Sequence, residues 1–111
     1  MSQRAMDRLV AELSVHLCEY FPDAVALYQS PEREQLIRQA LTRANTLGLR
    51  ARQDLYRFIN LHAFLGWEFL DLAESAWMRA WLANPTRGAP GARLLSLQQQ
   101  IVFNMERQAR A

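Results

Sequence analysis

The sequence predicts an all-α fold: a compact bundle of about five helices around a central apolar helix near residues 52–66. Three observations predict it. Breakers are few, with four Gly and four Pro in 111 residues, and most lie outside the periodic stretches. Apolar residues recur at helical spacing in four long stretches. The apolar mass is concentrated between Asp54 and Leu72. There Leu55, Phe58, Ile59, His62, Leu65 and Phe69 form one stripe, and Leu61, Phe64 and Trp67 widen it. A helix apolar around most of its circumference has to be covered on several sides.

The elements follow in order. The first helix should run from about Ser2 to Tyr20, with Met6, Leu9, Val10, Leu13, Leu17 and Tyr20 inward. Phe21-Pro22 ends it, because a residue before Pro avoids the α region. Asp23 to Gln29 fits a short helical turn with Val25 and Leu27 or Tyr28 tucked in. Ser30-Pro31-Glu32 starts the second helix: Ser can cap, Pro suits the first turn and the acids suit the positive end of the dipole. Leu36, Ile37, Ala40, Leu41, Ala44 and Leu47 form its inner face, and Gly48 follows as the left-handed terminator. Leu49 then plugs the core.

The central helix is expected from about Arg52 to Leu65. Gly66 either ends it or marks a close helix approach. Trp67 to Glu74 reads as loop or tightened turn. A short helix, about Glu74 to Ala83, carries Trp77, Met78, Trp81 and Leu82, and Asn84-Pro85 stops it. After the loop Thr86 to Gly91, the last helix should run from about Pro90 to Gln108. Leu94, Leu97, Ile101 and Met105 should face inward, with Leu95 and Val102 beside them.

Length and composition fit one soluble helical domain spanning residues 1–111. A single cysteine, Cys18, excludes an internal disulfide framework. No secretory signal opens the chain, and the longest charge-free runs are too short for a bilayer. The expected compartment is the cytoplasm, with no membrane partner. All thirteen basic residues are Arg, but they are spread along the chain among eleven acids, for a formal charge of +2. A nucleic-acid binder concentrates its positive charge, so nucleic acid is not the expected partner.

No catalytic, metal or cofactor signature emerges. His16 and Cys18 are two residues apart and point to different sides of a helix. With two His and one Cys, the chain is short of zinc ligands. Cys18 reads as a small buried residue and His16 as near the surface. His62 lies on the apolar stripe and reads as a core histidine bonded to a carbonyl or carboxylate. Glu68, Asp71 and Glu74 read as capping groups or as partners for Arg79. Ser14, Ser30, Ser75 and Ser96 sit in no nucleophile elbow, and no glycine loop could cradle phosphate. The expectation is a protein that is not an enzyme and holds no cofactor.

The aromatics say more. Trp67, Phe69, Trp77 and Trp81 fall within fifteen residues, mostly as core. One stripe of a short helix cannot easily bury Trp77, Met78, Trp81 and Leu82 together. Trp67, Phe69, Met78 and Trp81 are therefore the candidate protein-interaction residues, facing a partner or a second copy in a homodimer.

The run from Ala40 through Leu49 leads into Arg52 to Leu61, then Phe64 to Phe69, then Ala76 to Pro85. This order resembles small helical proteins encoded beside VgrG spike and effector genes of bacterial type VI secretion systems. Gly48, Asp54, Phe58, Gly66, Phe69, Trp77 and Leu82 match that pattern, over roughly residues 36 to 97. The chain departs from it at Leu47, where Tyr is usual, and in the apolar Leu70 and Leu72. The resemblance implies a cytoplasmic adaptor or chaperone that binds a secreted effector or VgrG spike component. It assigns no binding residue. Gly48, Asp54, Phe58, Gly66, Trp77 and Leu82 enter as structural positions of the shared pattern. The alternative is an immunity protein that neutralises a cognate toxin, and growth rescue on co-expression separates the two. A basic nucleic-acid binder ranks lower, and salt-sensitive retention on DNA or RNA would reveal it.

Overall fold

A computed structural model describes residues 2–110. The fold is all-α: among the described residues there are six α-helices and three short 3-10 turns, and no strand. The helices are α1 (Gln3–Tyr20), α2 (Pro22–Val25), α3 (Ser30–Thr46), α4 (Arg52–Leu65), α5 (Ala76–Ala83) and α6 (Pro90–Arg110). The 3-10 turns are Phe69–Asp71, Ala73–Ser75 and Pro85–Arg87. The sixth helix is α2, one turn long, at the position where a short helical turn was expected.

Local chemistry sets the ends. The Ser2 side chain accepts a hydrogen bond from the Ala5 amide at 3.1 Å and caps α1. The α3 helix starts one residue earlier than expected, so Ser30 is inside it. The Ser30 hydroxyl reaches Glu34 instead of capping, and Gln29 takes the cap position without a side-chain bond. At its far end Gly48 has φ +83°. The Leu49 amide bonds the Ala44 carbonyl at 2.9 Å and the Gly48 amide bonds Asn45. This is a Schellman closure, and it turns Leu49 into the core. Gly66 ends α4 at φ +110° with open space where a side chain would go. It is a terminator and not a point of close approach.

α4 is the hub. It packs against α1, α2, α3 and α6, and Phe58 and Ile59 at its middle are fully buried. α1 and α3 run antiparallel, with Asp7 paired to Arg38 and Arg33 bonded to Ser14. α1 runs in the same direction as α4: Glu12 meets Arg52 and Tyr56, and His16 meets Asn60. α6 also starts where α4 starts. A Cβ on Gly91 would come within 2.5 Å of the Asp54 carboxylate, and one on Gly48 within 2.9 Å of Pro90. Three helix ends therefore converge at one joint, with the Asp54 carboxylate against the positive first turn of α6.

Several inward assignments fail: at Tyr20 and Met105 the stripe continues past the point where a neighbour covers it, while Leu95, Val102, Phe64 and Cys18 stand beside a stripe that is itself covered. Tyr20 lies beyond the packed part of α1 and is exposed. Leu27 is 89 % exposed, while Val25 is buried and Tyr28 half-buried. Met105, Leu95 and Val102 on α6 are exposed, as is Phe64 on α4. Cys18 faces solvent, not the core.

Candidate functional site

The segment after Gly66 folds back as two 3-10 turns. Their backbone is held by side chains from elsewhere. Arg79 donates to the carbonyls of Leu70 at 2.6 Å and Leu72 at 2.9 Å. The expected pairing of Arg79 with Glu68, Asp71 or Glu74 does not form; its Nη1 turns to these two carbonyls instead. Asp71 instead accepts from Arg43 on α3 at 2.5 Å. The fold-back buries Phe69 and Leu70 and creates a hollow of about 800 Å³. Tyr28, Leu36, Leu65, Trp67, Phe69 and Leu72 supply its apolar walls, and Gln39, Glu68 and Asp71 its polar edge.

This arrangement brings two of the four candidate interaction residues together. Phe69 is 3 % exposed, so it shapes the hollow from behind and gives a partner little surface. Trp67 is half-buried. Its indole N–H donates to the Ala24 carbonyl at 3.3 Å, which fixes the ring across the gap between α2 and α4. Met78 and Trp81 lie on α5, partly buried against the core. The Trp81 indole N–H donates to Ser96 at 2.9 Å, and the Arg87 guanidinium sits 3.4 Å from the ring centre. Trp77, matched as a structural position, is 38 % exposed and stands edge-on to Trp81 at 6.1 Å. Leu82 and Phe58 are core, and Gly48, Asp54 and Gly66 have the structural duties described above.

Behind the hollow lies a smaller one of about 210 Å³, where His62 meets Arg43, Asp71, Gln39 and Trp67. Glu68 does not line it. His62 Nδ1 lies 2.9 Å from the Phe58 carbonyl, and the ring packs edge-on to Phe58 and Phe69. Burial is the largest influence on its pKa and holds it below the ordinary value. The bond to Phe58 and the Asp71 carboxylate oppose that, and Arg43 adds to it. His62 is therefore a neutral core histidine at pH 7, and the carbonyl partner is of the expected kind.

His16 is more engaged than a surface residue. It bonds Asn60 at 2.7 Å and packs among Tyr20, Phe21 and Tyr56. The neighbouring Arg52 guanidinium holds the Glu12 carboxyl below the usual range. Burial pushes the Tyr56 hydroxyl up. Among the described residues, no three His, Cys, Asp or Glu side chains gather where they could hold a metal ion, and no helix is long and apolar enough to cross a membrane. Sequence reasoning missed the Arg43–Asp71 tie and the Arg79 staple. Both join residues that are far apart in the chain or that use backbone acceptors, and neither leaves a periodic signal. Comparison with protein-family models, curated proteins and solved structures gives no match.

Proposed function

We propose that the protein is a non-enzymatic protein-binding accessory factor, an adaptor or chaperone for a type VI secretion effector or a VgrG spike component in the cytoplasm. One observation carries the reading: the hollow of about 800 Å³ walled by Trp67, Leu36, Leu65 and Leu72. Apolar and polar surface contribute about equally to its lining, the mixed composition of a protein-recognition patch. The resemblance of residues 36 to 97 to the type VI accessory proteins supplies the partner class. Binding buries the apolar walls, and the polar edge residues Gln39 and Glu68 set the orientation.

The test is co-expression with the effector and the spike protein encoded beside the gene. The expected result is a stoichiometric complex that survives gel filtration. It should be lost on Leu72→Asp, which adds a charge to an exposed wall without touching the core. Separate elution of the chain from each of these partners would sink the reading.

A further inference from the structure

The strap that folds back after Gly66 is tied to α3 and α4 by side chains. Phe69 lies edge-on to His62 at 4.8 Å, and Asp71 holds Arg43 of α3. Its backbone packs on α5, where Arg79 grips the carbonyls of Leu70 and Leu72. At the α4 end, Gly66 has open space where a side chain would go, so the chain can swing there without meeting a neighbour. The strap is therefore a unit that can lift from α4 while the helices stay packed.

His62 is the group beneath it. A carbonyl only accepts, so the contact with Phe58 places the proton on Nδ1 and leaves Nε2 as a bare lone pair. Nε2 bonds nothing among the described residues. The one sealed side-chain polar atom without a partner there is Gln98 Oε1. Nε2 is therefore not sealed, and it opens into the hollow of about 210 Å³ that His62 lines. Arg43 of α3 and Asp71 of the strap are the charged groups of that hollow, and Gln39 adds a neutral amide. Among the described residues, α1, α2, α5 and α6 bring no charged side chain to it. A proton taken up at Nε2 puts a second cation beside Arg43. One carboxylate, already paired, then faces two cations next to the buried rings of Phe58 and Phe69. An imidazolium so enclosed lacks the hydration that it regains when the strap lifts.

We propose that His62 is a proton-operated latch: a proton taken up at Nε2 lifts the strap from α4, uncovers Phe69 and Leu70 and takes apart the hollow beside Trp67. In the closed state burial, aided by Arg43, holds the imidazole below its ordinary pKa, against the pull of the Phe58 carbonyl and Asp71. In the lifted state the ring is hydrated and titrates near the reference value of about 6.5. The closed strap is fully favoured above that value. Its advantage falls as pH drops from about 6.5 to the closed-state value, and is constant below it. The latch needs no partner, so it stands whether or not the Trp67 hollow receives one.

Amide exchange followed from about pH 7.5 to about pH 5, and divided by unstructured-chain rates at each pH, tests the latch. Residues 69–75 should exchange through an opening of their own, with Phe58 and Ile59 better protected at every pH. Strap protection should fall by up to about tenfold per pH unit below about 6.5. His62→Gln should leave it independent of pH. Arg43→Gln and Asp71→Asn both cut the tie, so both should lower strap protection at the upper pH. Their pH responses should part: smaller without Arg43, whose charge repels the imidazolium, and larger without Asp71, whose charge attracts it. That split decides the matter even where His62→Gln fails to fold. The proposal is overturned by strap protection that does not change with pH, or by a pH response that His62→Gln keeps. It is equally overturned by two tie variants that respond alike, or by strap amides that exchange only together with those of Phe58 and Ile59.

Discussion

At His62, burial works against charge, and the consequence can be measured. The folded protein holds the imidazole neutral below its ordinary pKa, mainly through burial. The unfolded chain protonates it near the reference value of about 6.5. Between the folded value and about 6.5 the unfolded state binds the extra proton, so stability must fall as pH drops through that window. The expected slope is at most about 1.4 kcal/mol per pH unit, read from urea unfolding across that range. His62→Leu should flatten it. Two glycines separate strain from crowding. Both have positive φ, but an added Cβ meets open space at Gly66 and the Pro90 ring at 2.9 Å at Gly48. Gly66→Ala should cost about 1–3 kcal/mol from backbone strain alone. Gly48→Ala should cost more, and the excess measures the contact with Pro90.

Among the elements, the 3-10 segment Phe69 to Ser75 depends most on distant side chains. Arg79→Ala frees two carbonyls, one of a buried residue and one of an exposed residue, and should cost about 1–2 kcal/mol. Amide exchange should accelerate in residues 69–75 and stay slow in the middle of α4, a local opening and not global unfolding. The helix limits were legible because Pro and Gly punctuate them: Pro22, Pro31, Gly48, Gly66, Pro85 and Pro90 all lie at or beside an element end. The covered length of each stripe was not legible. Periodicity fixes the direction in which Met105 or Tyr20 points, but not whether a neighbour reaches that far. The site was legible only in part for the same reason. Trp67 and Phe69 announce themselves as a cluster, whereas the Arg43–Asp71 tie that holds the wall spans 28 residues of chain.

For the whole molecule, the central position of α4 sets the scale of stability. Phe58 is fully buried at the middle of the hub. Phe58→Ala should cost about 3–5 kcal/mol, a large share of the 5–15 kcal/mol typical of a domain this size. Thermal unfolding by circular dichroism should show the melting temperature falling sharply, and a shift of only a degree or two would contradict the hub assignment. The radius of gyration, 14.3 Å, exceeds the roughly 13 Å of an evenly packed chain of this length, as a projecting helix end requires. No described residue of that end beyond Ile101 is buried, so trimming the chain back to Met105 should leave the melting temperature nearly unchanged.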